Sequence, residues 1–405
     1  MPVEIPSPQP LNPHVAAMQP SATLAMSARA KARRRAGHDV ISLSAGEPDF
    51  DTPAPVVEAA HQALREGFTH YTPNAGIPEL REAIAEKLRR ENGLEVEAAQ
   101  VLCSNGAKQS VAQAVLALCQ PGDEVLIPAP YWVSYPEMAR LVGATPVIVE
   151  TTPESHYTMT PEQLDDAITE RTRLLVFNSP SNPTGAVYSP EEMAALAEVL
   201  QAHERVFVVS DEIYEYVLFD AVHTTFGALP GMAERTVTVN GFSKGYAMTG
   251  WRLGYAAGPQ WIISAMAKVQ SQFTSAPSSI TQKAGLAALA MSREPIEEMV
   301  AAFRRRRDFM LDRLAHWPEV DCPKPEGAFY LFPDISSHFG RTASDGTVIG
   351  GSEDFAMYLL EQHDVATVAG HAFGADYGLR LSYAASMEDL EKAATRIEAA
   401  LDGLN

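Results

Sequence analysis

The strongest constraint on the fold is the alternation of two hydrophobic patterns between residues 53 and 315. Short β-branched, apolar runs, such as residues 174–178, 206–211 and 236–239, have the length and composition of buried strands. Segments with helical periodicity separate these runs. Strands that alternate with helices in this way form a mostly parallel sheet with helices on both faces. The sequence therefore predicts an α/β protein with such a sheet at its centre.

Several helix starts are explicit. Residues 160–163 and 189–192 each have a hydroxyl residue, a proline and, three positions on, Gln or Glu, which together predict a capping box. Thr52 and Pro53 open a predicted helix that runs to Gly67, and Ser386 begins the last one.

The chain has 405 residues, enough to bury a large core and to divide into about two domains. Residues 1–20 are rich in proline and predict an extended N-terminal arm. We expect residues 53–315 to form the larger domain. Residues 21–52 and 316–405 are expected to form a smaller α+β domain, with a Gly/Ser-rich loop at 340–352.

The net charge is −20, from 31 basic and 51 acidic residues. This balance argues against nucleic acid as a partner, because nucleic-acid binding depends on basic patches. The basic run at residues 304–307 lies in a helical pattern with acidic neighbours and predicts a solvated helix face.

Three cysteines, Cys103, Cys119 and Cys322, lie far apart and suggest neither a disulfide framework nor a zinc site. The sequence shows neither a signal peptide nor a stretch of membrane-spanning length, so we expect a cytoplasmic protein without a membrane partner.

Candidate site residues stand where predicted strands end, which is where ligands bind in sheets of this type. The run at 236–239 ends at the turn signal Asn240-Gly241, which places Ser243 next to Lys244; Arg252 follows eight residues later. An amine, a hydroxyl and a guanidinium suit a ligand that carries both an aldehyde and a phosphate. Pyridoxal 5'-phosphate is such a ligand, and Lys244 would form its Schiff base. The alternative is a lysine on a surface turn.

Asp211 ends the run that begins at residue 206, and a buried carboxylate there needs a cationic partner. The protonated pyridine nitrogen of the cofactor would be that partner, while Tyr214 would reach the ring's phenolic oxygen. Asn182 lies in a Pro/Asn/Gly loop after residues 174–178 and offers an amide at the strand tip. A helix-capping Asp, a core Tyr and an ordinary turn are the alternatives.

Gly106 and Ala107 stand between a predicted strand and a helix over residues 110–119, where free N–H groups bind a phosphate. Trp132 follows another predicted strand and could stack on a flat ring. A turn without a ligand and a core Trp are the alternatives.

These segments, in this order and spacing, resemble the class I/II aminotransferases, which are pyridoxal phosphate enzymes of fold type I. The resemblance extends from about Gln19 to the C-terminus and is closest to the bacterial aspartate aminotransferase branch, which includes aspartate/prephenate aminotransferases. The matching segments are residues 44–50, 71–81, 130–138, 182–185, 210–214, 243–252 and 378–383.

The resemblance implies further roles. Arg380 matches the arginine that binds the substrate α-carboxylate, and a planar guanidinium suits that bidentate contact. Gly46 matches a glycine whose backbone lies against the substrate, where Trp132 and Asn182 are also expected. Tyr71 matches a tyrosine that reaches the phosphate of the neighbouring subunit, which implies a homodimer with shared active sites.

Two positions depart from the family pattern. Many relatives have a hydroxyl residue three positions before the lysine, where this chain has Gly241. Relatives often have a basic residue where this chain has Gln19.

The resemblance implies a ping-pong transamination in which Lys244 moves a proton, with 2-oxoglutarate as amino acceptor. Lys108 and Thr23 match residues that bind dicarboxylic substrates, so aspartate is the expected donor. The alternatives are a prephenate or aromatic aminotransferase, a lyase or synthase with the same cofactor and fold, and a non-catalytic cofactor-binding regulator.

Overall fold

The computed structural model describes residues 11–405, so the first ten residues of the predicted arm lie outside the described part. The helices are α1 Pro13–Ala16, α2 Ala22–Arg35, α3 Ala54–Arg65, α4 Pro78–Asn92, α5 Ala107–Leu118, α6 Tyr135–Leu141, α7 Pro161–Ala167, α8 Pro190–Gln201, α9 Gln260–Phe273, α10 Ser279–Ala290, α11 Glu294–Leu314, α12 Ser352–His363 and α13 Met387–Asp402. The strands are β1 Ile41–Ser42, β2 Val101–Ser104, β3 Glu124–Ala129, β4 Thr145–Glu150, β5 Thr172–Asn178, β6 Phe207–Asp211, β7 Thr236–Gly241, β8 Gly254–Ala257, β9 Tyr330–Leu331, β10 Val365–Ala366, β11 Val368–Ala369 and β12 Leu379–Ser382.

Seven strands form the central sheet in the order β2-β8-β7-β6-β5-β3-β4. The pairs among β3 to β7 are parallel, whereas β8 runs antiparallel to both of its neighbours. The predicted mostly parallel sheet of an α/β fold is therefore confirmed.

Helices cover both faces of this sheet. Along β5, Leu174 and Val176 pack in one apolar cluster with residues of α5, and Leu175 and Phe177 pack in another with residues of α8. Successive side chains of a strand point to opposite faces, so each face has its own apolar layer. The sheet ends are consequently the places where polar side chains can gather.

Two smaller sheets complete the fold. In one, β12 pairs antiparallel with both β11 and β9; in the other, β1 pairs parallel with β10. The β1–β10 pair joins residues 41–42 to residues 365–366. The division into a larger and a smaller domain stays a prediction.

The predicted capping boxes at the starts of α7 and α8 are confirmed. In α8, Ser189 N donates to Glu192 Oε2 at 2.7 Å, and Glu192 N donates to Ser189 Oγ at 3.2 Å. The corresponding bonds between Thr160 and Gln163 measure 2.9 and 3.2 Å.

Three local predictions were wrong. Within the predicted extended arm, α1 is helical, because the Asn12 side chain caps it by accepting from His14 N at 3.0 Å. Strand β7 does not stop before Asn240 but continues through Gly241, which pairs with Gly254 on β8. Helix α5 begins at Ala107 rather than at residue 110.

The prediction of a solvated face for residues 304–307 was wrong for Arg307, which is 1% exposed. Its guanidinium donates to the Pro325 carbonyl at 3.1 Å and lies 4.5 Å from the Phe219 ring centroid. The buried face of α11 therefore includes a basic residue, which a charge pattern alone does not distinguish from an exposed one. No helix within residues 11–405 combines the length and the apolar character needed to cross a membrane.

Candidate active site

A cavity of about 540 Å³ opens at the carboxyl ends of β5, β6 and β7, between the start of α5 and one face of α2. Most of the predicted site residues line it, although they come from distant parts of the chain. They are Thr23, Gly46, Ala107, Lys108, Trp132, Asn182, Asp211, Tyr214, Ser243, Lys244, Arg252 and Arg380.

Lys244 follows β7 and points its amine into this cavity. Its Nζ donates to the Gly46 carbonyl oxygen. Burial lowers the pKa of Lys244 to about 8, with the cations of Arg380 and Arg252 acting in the same direction and the Glu47 carboxylate opposing them. A substantial fraction of the amine is therefore neutral near physiological pH, as a nucleophile or general base requires.

Asp211 is the last residue of β6 and its carboxylate is buried at the floor of the cavity. Tyr135 Oη donates to Oδ2 at 2.8 Å, and the Ile213 N–H donates to Oδ1 at 3.3 Å. Burial nevertheless raises the pKa of Asp211 to about 6, in spite of these hydrogen bonds. A cation in the cavity would lower this pKa and favour the charged form of the carboxylate.

The start of α5 forms an anion cradle. Gly106 caps the helix at φ +88°, and a Cβ there would lie 2.5 Å from Arg252 Nη2, so only glycine allows the guanidinium this close. Arg252 is held by bonds to the carbonyl oxygens of Thr249 at 2.9 Å and Asn105 at 3.3 Å. Ala107 begins the helix, and its N–H has no acceptor within the helix. These donors, with Ser243 beside them, suit a phosphate.

Arg380 lies on β12 and is 1% exposed. Its guanidinium donates to Asn182 Oδ1 at 2.9 Å and to the Ser44 carbonyl at 2.8 Å. It lies 4.7 Å from the Tyr330 ring centroid. Within residues 11–405 it forms no ion pair with an acidic side chain, and its Nε is buried without a partner. A buried cation held only by neutral groups is ready to receive an anionic ligand.

Two tyrosines in this site were not predicted from the sequence. Tyr135 contacts Asp211, as described above, and Tyr330 forms a hydrogen bond of 2.7 Å with the hydroxyl of Tyr214. Tyr330 also explains Gly46, because a Cβ at Gly46 would lie 3.1 Å from the Tyr330 hydroxyl. Neither tyrosine stands in a pattern that separates it from a core aromatic.

Lys108, Trp132 and Thr23 also line the cavity. Lys108 Nζ is 4.8 Å from the centroid of the Trp132 ring, which itself packs edge-on against Tyr135 at 5.3 Å. Thr23 stands in the first turn of α2. Gln19 is exposed and does not line the cavity; its backbone N–H donates to Glu137.

Tyr71 is fully exposed and is not part of the cavity wall of its own chain. Its predicted contact with a neighbouring subunit stays a prediction. Gly106 also stands just outside the wall, where it shapes the cradle around Arg252.

The residues fit pyridoxal 5'-phosphate. Lys244 would offer a partly neutral amine to the aldehyde, Asp211 would offer a buried carboxylate to the pyridine nitrogen, and the start of α5 with Arg252 would offer donors to the phosphate. The raised pKa of Asp211 and the unpartnered Nε of Arg380 are the observations that call for bound charged groups.

Comparison with known proteins identifies the family of the chain. Residues 38–397 match the family model of aminotransferase class I and II. The chain belongs to this family of pyridoxal phosphate-dependent enzymes.

Three relatives illustrate the similarity. The chain is 54% identical, over 96% of its length and 82% of the relative's, to the bifunctional aspartate aminotransferase and glutamate/aspartate-prephenate aminotransferase of Petunia hybrida. It is 50% identical, over 98% and 99%, to the aspartate/prephenate aminotransferase of Cereibacter sphaeroides. The structure of Thermus thermophilus aspartate aminotransferase with maleate superposes with a TM-score of 0.92 at 47% identity, covering 97% of this chain and 100% of that one.

Proposed function

We propose that this protein is an aspartate aminotransferase that transfers the amino group of aspartate to 2-oxoglutarate by a ping-pong mechanism. The observation that carries the proposal is the presence of two cations at separate positions of one cavity, Arg380 and Lys108. Neither forms an ion pair with an acidic side chain among the described residues. A substrate with two carboxylates satisfies both cations.

The relatives support a dicarboxylic substrate. The Thermus thermophilus enzyme was solved with maleate, which is a dicarboxylate, and shares 47% identity with this chain. Prephenate is a second candidate amino acceptor, because the Petunia hybrida and Cereibacter sphaeroides relatives are named for it and it is also a dicarboxylic acid.

In the proposed mechanism, Arg380 binds the substrate α-carboxylate and Asn182 holds the guanidinium in the required plane. Lys108 and Thr23 face the distal carboxylate. Pyridoxal phosphate, when bound, supplies the electron sink that stabilises negative charge at the substrate α-carbon.

Lys244 is proposed to move the proton. The neutral form of its amine, which has a pKa of about 8, would take the proton from the substrate α-carbon, and the resulting ammonium would give that proton to the coenzyme carbon that receives the amino group. Asp211 would pair with the protonated pyridine nitrogen of the coenzyme, and the Tyr214 hydroxyl, which is hydrogen-bonded to Tyr330, would hold its phenolic oxygen.

We also propose a homodimer with shared active sites, in which Tyr71 contacts the phosphate of the neighbouring subunit. Its full exposure in the single chain supports this arrangement. The cytoplasmic location stays a prediction.

The test is an amino-donor panel with 2-oxoglutarate as acceptor. Aspartate is expected to give oxaloacetate and glutamate faster than neutral or aromatic amino acids do. The Lys244→Ala variant is expected to lose both turnover and the absorbance band of the Schiff base between this lysine and the coenzyme, whereas Lys392→Ala, an exposed lysine paired with Glu388, keeps both. Elimination products, or turnover that survives in Lys244→Ala, would contradict the proposal.

A further inference from the structure

The end of β6 has two polar faces. Asp211 faces the cavity, while its neighbours Ser210 and Glu212 contact each other on the opposite side, with Ser210 Oγ donating to Glu212 Oε1 at 2.8 Å. This is the alternation expected of a strand. The mechanism uses the cavity side and assigns nothing to the buried charges behind it.

Glu212 is 1% exposed and its carboxylate is fully hydrogen-bonded. In addition to Ser210, it accepts from the Phe226 N–H at 3.1 Å, from Thr225 Oγ1 at 2.8 Å and from His223 Nε2 at 2.9 Å. These donors belong to the loop after β6, so the carboxylate ties that loop to the strand end. The Glu212 N–H meanwhile donates to Val239 on β7 at 2.8 Å, on the strand that leads to the catalytic lysine.

The cluster continues to α4. Asn92 Nδ2 donates to Thr225 Oγ1 and to Glu215 Oε2, both at 2.8 Å. Lys87 Nζ donates to Asn92 Oδ1 at 2.7 Å and also to Glu215 Oε1. Lys87 is 2% exposed and Glu215 is 6% exposed, so these charges are screened little by solvent.

The side chains joined directly by these hydrogen bonds balance in charge when His223 is a cation, because Glu212 and Glu215 contribute two negative charges and Lys87 one positive charge. Lys87 Nζ also lies 3.9 Å from Glu91 Oε2, and Glu91 in turn pairs with Arg90 and Arg293. Burial opposes a charged imidazole, but the Glu212 carboxylate, helped by that of Glu215 and opposed by Lys87, holds the pKa of His223 above its usual range. His223 Nδ1 has no protein partner within the described residues, so the bond from Nε2 to Glu212 is the one that orients the ring.

We propose that Glu212 and His223 are positioning residues for amino transfer: their buried ion pair fixes residues 211–214 and neutralises the charge directly behind Asp211. The inference rests on the role of Asp211 under the proposed function. The reason is electrostatic. Without the His223 cation, the negative charge of Glu212 would disfavour the negative charge that Asp211 must carry.

The two single substitutions are expected to differ. In Glu212→Gln, His223 can release its proton and the cluster stays neutral. In His223→Gln, the Glu212 carboxylate loses its cationic partner and its negative charge acts on Asp211 without compensation, so the pKa of Asp211 rises. The double variant Glu212→Gln/His223→Gln removes one charge of each sign and keeps a polar side chain at both positions.

The experiment measures the dissociation constant of pyridoxal phosphate for the apoenzyme and the pH profile of kcat/KM for these three variants. For His223→Gln, we expect coenzyme binding about tenfold weaker and an acid limb about one pH unit higher, because one pKa unit corresponds to a factor of ten. In the double variant, the dissociation constant of pyridoxal phosphate is expected to return to within about threefold of the wild-type value, because the charges are balanced again. His203→Gln, which breaks a similar contact with Asp165 at the surface, is the matched control and should leave both quantities unchanged.

Nuclear magnetic resonance of the apoenzyme provides a readout without activity: the His223 ring should titrate above the usual histidine range in wild type and lower in Glu212→Gln. Wild-type coenzyme affinity and pH profile in His223→Gln would overturn the inference, as would a double variant that binds the coenzyme no more tightly than His223→Gln does.

Asp211→Asn is measured in parallel. If it retains full activity, the proposed role of Asp211 fails; if it is inactive while His223→Gln behaves as wild type, only the present inference fails.

Discussion

The hydroxyl of Tyr135 donates a hydrogen bond of 2.8 Å to Oδ2 of Asp211, and both side chains are buried. Tyr135 begins α6 and Asp211 ends β6, so the contact joins two elements that are distant in the sequence. A donor at this position stabilises the carboxylate form of Asp211 and opposes the effect of burial. The pair therefore sets how strongly this acid can hold a cation.

Removal of this hydroxyl should shift the pH dependence of the reaction. In Tyr135→Phe the carboxylate loses a charge-assisted hydrogen bond, so the pKa of Asp211 rises further above about 6. We expect the acid limb of kcat/KM to move up by about one pH unit. The control is Tyr188→Phe, a buried tyrosine whose hydroxyl accepts from Met159 N–H at 2.7 Å, away from the cavity. An acid limb that moves equally in both variants would contradict the role of Tyr135.

Asp211 itself should make the apoenzyme less stable as the pH rises. Its folded pKa, about 6, is higher than the value near 3.9 of an unfolded chain. A carboxyl group with a raised folded pKa contributes stability that is complete below the unfolded pKa and is lost as the pH rises through the folded pKa. The two-unit difference corresponds to about 3 kcal/mol in the free energy of unfolding.

We therefore expect the Asp211→Asn apoprotein not to lose this stability between pH 4 and pH 7. Urea unfolding of the wild-type and Asp211→Asn apoproteins across that range measures the difference between their free energies of unfolding at each pH. Wild-type apoprotein should lose stability relative to the variant on going to pH 7, and added pyridoxal phosphate should restore it, because the bound cation pairs with the carboxylate. If the free energies of unfolding of the two apoproteins changed in parallel with pH, the pKa of Asp211 would not be raised in the folded apoprotein.

Much of the fold and site could be predicted from the sequence because strand ends carry recognisable polar residues. The apolar run that ends at Asp211 and the one that leads to Lys244 predicted both the sheet and the place of the cavity, since the carboxyl ends of parallel strands meet at one edge. Tyr135 and Tyr330 could not be predicted, because their roles depend on which distant side chains lie beside them. The prediction that Arg307 is solvated was wrong for the same reason, because a helical charge pattern does not show which side chains pack on the helix.

Loss of the Arg380 guanidinium should raise KM equally for every amino-acid substrate. Since all amino acids share the α-carboxylate, Arg380→Leu is expected to raise KM for each donor by about a hundredfold, as the loss of a bidentate charged contact implies. Arg380→Lys keeps the charge but loses the planar fork held by Asn182 and the Ser44 carbonyl, so it should fall between wild type and the Leu variant. Steady-state kinetics with aspartate, glutamate and a neutral amino acid give the comparison. A defect limited to one substrate would contradict the assigned role.

Lys108 should affect dicarboxylic substrates selectively. Its ammonium lies 4.8 Å from the Trp132 ring centroid and lines the cavity, so Lys108→Ala removes the cation proposed to meet the distal carboxylate. We expect kcat/KM for aspartate to fall by about tenfold or more, as for other hydrogen bonds to charged groups, while a neutral amino acid changes little. Lys283→Ala is the matched control, because Lys283 lies at the same distance of 4.8 Å over the Phe68 ring but outside the cavity. Equal losses for both substrate classes in Lys108→Ala would remove the structural argument for aspartate, since the second cation would then serve the coenzyme or the fold and not the distal carboxylate.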